Sequence, residues 1–296
     1  MAKLRTNHVR NGSGGGAMVV RVGLFAIILG ALTLLFNRFV TQPSDDTEGV
    51  VIDFAAFDFV PASTTGVTLY NPYFALSYSP QHKQAEWVAY ELSAARLNMP
   101  WVSRRSAFLP DSRVKNPVTP SDYRNSGYDR GHLAPAADMA FAEDAMEYSF
   151  LMTNISPQAK NFNKGIWREL EELTRNWAKA NNTLYVVTGP VLAQKPKGTI
   201  GETQVSVPIA YYKVLLDYTE PQKKGIGFII PNEVSYEPLY KFAMSIADVE
   251  RQTGLTFFPK LLHPTKDRNL KETYNIDLWE FSKRKYELRT QKWNQD

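Results

Sequence analysis

The 296-residue sequence contains no cysteine and only four histidines. The first absence excludes disulfides, cysteine-ligated zinc, iron–sulfur clusters and thiol nucleophiles together. The second makes each histidine worth locating, because few side chains accept a proton near pH 7. No internal repeat is visible. Acids are missing from residues 1–40, which carry Lys3, Arg5, Arg10, Arg21 and Arg38. The net charge of +4 belongs to that segment, since the 34 basic and 30 acidic residues come almost into balance without those five. A polyanion site in the remainder must therefore be a local patch. The composition, 44% hydrophobic and 22% charged, is that of a globular protein, and the length allows one or two domains.

Residues 1–17 are basic and then Gly/Ser-rich, and read as a disordered cytoplasmic tail. Residues 18–40 are dominated by the apolar run from Val22 to Phe36 and approach the ~20 residues that span a bilayer. No small-residue cleavage site follows Phe36, so a transmembrane signal anchor is expected over a cleaved signal peptide. The basic flank puts the amino terminus inside and the bulk of the chain outside. Residues 41–67 read as a stalk, and 68–296 as the folded domain. Alternation predicts a strand over Glu86–Leu92, and branched and aromatic runs predict strands over Thr183–Thr188, Val205–Leu216 and Gly225–Pro231. Asp138–Tyr148 reads as a short helix and Phe150–Thr153 as a buried strand. From about Asn163 a helix is expected, with Ile166, Leu170, Leu173 and Trp177 as its apolar stripe. Ser245–Gly254 carries a capping-box start and a glycine stop. This mixture has no βαβ rhythm and predicts an α+β fold around a largely antiparallel sheet with packed helices.

Two stretches carry chemistry. Gly127–Asp138 reads G-Y-D-R-G-H-L-A-P-A-A-D, with Asp129, Arg130, Gly131 and His132 consecutive. A neutral imidazole can act as a general base, and an arginine beside it can hold an oxyanion. Gly131 leaves room for a close approach. Taken alone, the histidine could equally be a loop residue capped by Asp129. The second stretch is T-N-I-S-P-Q-A-K-N-F-N-K-G-I-W-R-E-L-E-E-L. Here Asn163, Trp167 and Glu171 fall at i, i+4 and i+8, which displays an amide and a carboxylate on one stripe. Upstream, residues 101–135 gather Arg104, Arg105, Arg113, Lys115, Arg124 and Arg130 against three acids.

D-R-G-H, joined to N-I-S-P-Q and N-F-N-K-G-I-W-R-E-L-E, resembles the DNA/RNA non-specific endonucleases, the family of the Serratia nuclease and mitochondrial endonuclease G. Family-like pieces extend over about residues 70–259. The resemblance implies a ββα-metal site, in which a hairpin bearing the histidine packs on a helix bearing the metal ligand. It implies His132 as the general base that activates water, and Asn163 as the sole direct protein ligand of one Mg2+, with Mn2+ as a substitute. Glu171 would orient water in the ion's shell, and Arg130 and Arg104 would clamp phosphate oxygens, with Arg175 as a third clamp. Arg104 fits an R-x-x-x-F-x-P-D pattern ending at Asp111, although Arg105 is adjacent. Asn154 would support Asn163 or His132, and Asp129 would orient the loop.

The expected function is a membrane-anchored endonuclease for DNA and RNA with little sequence or sugar preference; family members are often dimers, so a homodimer is one possible assembly. The alternatives are a non-catalytic nucleic-acid-binding module on the same fold and a phosphodiesterase for small nucleotides. The anchor would place the domain in the periplasm or outside a bacterium, or at the mitochondrial inner membrane of a eukaryote.

Overall fold

A computed structural model describes residues 57–62 and 65–295. In chain order the strands and helices begin with β1 (Val67–Tyr70), β2 (Ala75–Ser79), β3 (Gln84–Ser93) and α1 (Ala94–Leu97). Then come β4 (Tyr128–His132), α2 (Glu143–Ser149), β5 (Ile155–Ala159) and α3 (Arg168–Asn181). Strands β6 (Thr183–Pro190), β7 (Gly198–Ile200), β8 (Val205–Val207), β9 (Ala210–Asp217), β10 (Lys224–Pro231) and β11 (Ala243–Met244) precede α4 (Ile246–Thr253). The short helices α5 (Arg268–Glu272) and α6 (Lys283–Leu288) follow.

Seven strands form one antiparallel sheet in the order β1-β2-β3-β6-β9-β10-β11, which is the α+β architecture expected. Both of its faces are buried, so its central strands are apolar at nearly every position rather than at alternate ones. On one face Tyr90, Val186, Leu215 and Phe228 pack under Leu170, Leu173 and Trp177 of α3. On the other, Trp87, Val187, Val214 and Leu216 meet Ile246 and Val249 of α4. Phe57 and Phe59, within the stretch read as a stalk, are buried in this second layer. Strands β4 and β5 pair as a separate two-stranded ribbon, His132 opposite Ile155.

The expected α4 is present, with the Ser245–Asp248 capping box and Gly254 in the left-handed region at φ 74°. Three boundaries differ. Pro208 divides the expected strand Val205–Leu216 into β8 and β9, which belong to different sheets, because proline has no N–H for a continuous ladder. Phe150–Thr153 is not a strand: Leu151 makes one bridge to Leu109, and Met152–Asn154 forms a 3-10 turn. The helix expected from Asp138 starts at Glu143, and the backbone before it is taken up in turns, with Asp138 N–H donating to the Pro135 carbonyl and Met139 N–H to that of Ala136. The expected membrane span, residues 18–40, lies outside the described residues. Among those described, no helix is long and apolar enough to cross a membrane.

Candidate active site

Ribbon β4–β5 and helix α3 meet at the segment that joins β5 to the helix. Residues Phe162–Trp167 form a wide π-type turn, broken at Gly165 (φ −97°, ψ −112°), before regular helix begins at Arg168. Such turns redirect side chains within a helix and recur at functional sites. Trp167, expected on the stripe with Asn163 and Glu171, is instead fully buried against Phe162 and Tyr211. The wide turn nevertheless leaves Asn163 and Glu171 on a common cleft.

That cleft, of about 220 Å³, is lined by Arg104, Arg130, His132, Asn163 and Glu171, together with Lys164, Arg168 and the Pro135–Ala137 backbone turn. Five residues from three separate parts of the sequence are thus brought together. Asn163 Nδ2 donates to Asp129 Oδ2 at 3.0 Å. A carboxylate can only accept from the amide, so this contact turns Asn163 Oδ1 away from Asp129. Asn154 is fully buried; it accepts from Ala134 N–H at 2.8 Å and donates to the Ala134 and Ser149 carbonyls. It therefore fixes the backbone two residues beyond His132, rather than touching Asn163.

His132 is sandwiched by aromatic rings, with its centroid 4.8 Å from Phe150 and 5.4 Å from Phe108. Its Nε2 is sealed from solvent without a hydrogen-bond partner, so Nδ1 is the nitrogen open to the cleft. Burial first, and the nearby Arg104 guanidinium second, push its pKa down to about 3, and the ring is neutral at physiological pH. Arg104 lies over the Phe150 ring at 5.3 Å and Arg130 over Phe108 at 4.5 Å. Arg105 instead pairs with Glu147 at 3.0 Å on the surface, so of the two adjacent arginines it is Arg104 that enters the cleft.

Arg175 is not part of the cleft lining. Its guanidinium pairs at 2.8 Å with buried Asp138, which also accepts from the Tyr90 hydroxyl at 2.7 Å. Burial raises the pKa of Glu171 to about 7, with Lys213 and Arg175 opposing the shift. Lys213 is a residue the sequence reading missed. It is fully buried on β9, its Nζ has no hydrogen-bond partner, and it lies 5.1 Å from the Trp167 ring centre. Burial lowers its pKa to about 8, against the attraction of Glu171 and Asp138. The signal was a lone lysine inside the apolar strand Y-Y-K-V-L-L, where a charge demands a partner.

The family model for DNA/RNA non-specific endonucleases matches residues 56–263. The chain belongs to that family. Among relatives, the mitochondrial nuclease EXOG of Homo sapiens is 32% identical over 271 residues, covering 85% of this chain and 72% of that protein. Mitochondrial endonuclease G of Homo sapiens is 33% identical over 203 residues, covering 64% of this chain and 68% of its own length. EXOG of Danio rerio is 36% identical over 204 residues, which span 63% of this chain but only 59% of the zebrafish protein. A chain from the crystal structure of the EndoG/EndoGI complex superposes with a TM-score of 0.63 at 28% identity, covering 68% of this chain and 90% of that one. As a non-specific endonuclease family member, the chain carries both D-R-G-H and the asparagine-bearing segment inside the matched region.

Proposed function

We propose that the protein is a Mg2+-dependent endonuclease that hydrolyses phosphodiester bonds of DNA and RNA with little preference for sequence or sugar. The observation that carries this reading is the convergence of His132, Arg104, Arg130, Asn163 and Glu171 on one cleft. In this mechanism Arg104 and Arg130 hold the non-bridging phosphate oxygens. Both guanidiniums are braced on aromatic rings, which limits their freedom before substrate arrives. His132 Nδ1 takes a proton from the attacking water as its oxygen bonds to phosphorus and the bond from phosphorus to the leaving oxygen breaks. The ring's own proton stays on the buried Nε2, and the imidazolium returns the captured proton to solvent. A pKa of about 3 is low for a base at neutral pH. An anionic phosphate beside Arg104 offsets one of its two causes and raises the basicity when substrate is bound.

The donor set fits a hydrated hard cation. Asn163 offers an oriented amide oxygen as the one direct ligand, and Glu171, on the same cleft, would orient water in the ion's shell. One protein oxygen with water in the remaining positions suits Mg2+, which dehydrates reluctantly. When bound at Asn163, the ion would neutralise charge developing on the phosphate and leaving oxygen. Recognition of phosphate alone leaves the 2′-hydroxyl unread, which accounts for activity on both nucleic acids.

We also infer that residues 18–40 anchor the nuclease domain, about residues 68–296, in a membrane and outside the cytoplasm, in keeping with the mitochondrial names of its relatives. Dimerisation, implied by the family, is decided by light scattering of the detergent-solubilised protein. The function itself is tested by plasmid nicking with Mg2+, with EDTA, and with His132→Ala. Wild-type activity that vanishes in EDTA and in the variant is expected. A variant with full activity, or a wild type that binds DNA tightly without turnover, overturns the reading.

A further inference from the structure

Beside the cleft lies a second and larger pocket, of about 530 Å³, which shares Arg130 and Asn163 with it. Its other walls are unlike the cleft's. Phe108, Tyr123 and Tyr128 supply aromatic surface, Asp129 a carboxylate, and Arg124 an exposed guanidinium. The mechanism above uses none of Tyr123, Arg124 and Tyr128. We propose that this pocket receives the nucleoside next to the scissile phosphate, its base packed on Tyr128 and the following phosphate held by Arg124. The proposal rests on the reading of the cleft as a phosphodiester site.

Three observations lead to it. The pleat of β4 sends Tyr128, Arg130 and His132 to one face, at intervals of about 6.6 Å for each two residues. A water-activating imidazole, a phosphate clamp and an aromatic ring thus follow one another along a single strand. Next, the wall chemistry selects among the parts of a nucleotide. Asp129, whose Oδ2 already accepts from Asn163, repels a phosphate placed against it but accepts hydrogen bonds from amino groups on a base. Aromatic faces with few directed donors stack every base and distinguish none, as a non-specific enzyme requires. Finally, the volume falls within the usual range for small-ligand sites and accommodates one nucleoside, whereas the adjoining cleft of about 220 Å³ holds little more than the phosphate and its water.

The test compares two eight-nucleotide single strands, one with bases and one abasic throughout, binding to the full-length protein in EDTA by fluorescence anisotropy. The wild type should bind the strand with bases about tenfold more tightly. Tyr128→Ala should erase that preference without weakening the abasic strand, and Tyr128→Phe should retain it, which separates stacking from misfolding. Arg124→Gln, at an exposed position, should weaken both strands alike and lower the salt slope by about 0.7. Equal loss for both strands in Tyr128→Ala, an unchanged slope in Arg124→Gln, or no binding by the wild type overturns the proposal. Plasmid nicking is scored in parallel. Binding that behaves as expected without nicking removes the nuclease reading alone, whereas nicking with unaltered strand preference in Tyr128→Ala removes the pocket alone.

Discussion

Gly131 separates the proposed phosphate clamp from the proposed base, and the packing around it makes a sharp prediction. A Cβ built on Gly131 would lie 2.1 Å from Cδ and 2.2 Å from Oε1 of Gln158, a fully buried side chain on the partner strand. The backbone of Gly131 is not in the left-handed region, so the obstacle to Gly131→Ala is space and not conformation. Gln158 is fully buried and must repack to admit the methyl group, and overpacking of this kind costs about 1–3 kcal/mol. For a domain of this size that is about 2–4 °C in melting temperature for each kcal/mol. The larger effect should fall on function. If the ribbon opens by about 1 Å to admit the methyl group, Arg130 and His132 shift with it, and a displacement of that size costs on the order of 100-fold in rate. Gln158→Ala has a separate use as a rescue. Neither amide atom of Gln158 has a hydrogen-bond partner, so its loss removes bulk without orphaning a neighbour. The assay is plasmid nicking and urea unfolding of wild type, Gly131→Ala, Gln158→Ala and the double variant. Gly131→Ala alone should lose activity, and the double variant should regain most of it. A single variant with wild-type rates, or a double variant no better than the single, refutes the steric argument.

Three further outcomes are expected. Glu171 has its pKa raised from 4.5 to about 7, so the folded state holds a proton that the unfolded chain has lost, and stability declines as pH rises through that window. Glu171→Gln should flatten this decline, raising the melting temperature at pH 8 relative to wild type and not at pH 4; a gain of about 1–3 kcal/mol is the range, trimmed because Lys213 loses a counter-charge. Equal pH dependence in variant and wild type sinks the assignment. Arg289, just after α6 and fully buried, donates to Glu169 at 2.5 Å and to the Ser235 and Glu237 carbonyls. Arg289→Met leaves Glu169 buried without its partner and should cost about 3–5 kcal/mol in urea unfolding, while adding Glu169→Gln should restore much of the loss. In Glu171→Gln, where the carboxylate's own titration near 7 is gone, His132 as the base makes the residual kcat/KM fall on acidification only as pH approaches about 3, well below the ordinary histidine value of 6.5. Adding Arg104→Met to that variant removes a depressing charge and should move the acid limb upward; a limb near 6.5 in Glu171→Gln contradicts the burial.

Much of the fold was legible because it rests on local pattern. The apolar stripe Ile166, Leu170, Leu173 and Trp177 is buried as its spacing required, and the Ser245–Asp248 box starts a helix at the expected residue. The motif residues were legible too, since D-R-G-H and the asparagine segment are contiguous in the chain. Less visible was anything that depends on where a buried side chain finds its partner. Helical periodicity placed Trp167 beside Asn163 and Glu171, but the π-type turn at Gly165 changed the phase and put the indole in the core. The R-x-x-x-F-x-P-D pattern favoured Arg104 over adjacent Arg105, but only the packing shows why: Arg104 lies over the Phe150 ring while Arg105 pairs with Glu147. Arg175 sits one turn beyond Glu171 and looked free to bind phosphate, yet Asp138, 37 residues away in the chain, engages it. The sequence by itself determined which groups the site could use, because chemistry resides in side-chain type and short spacing. Tertiary structure decided which of those groups face the cleft and with what protonation, because burial and long-range ion pairing arise only when distant segments pack.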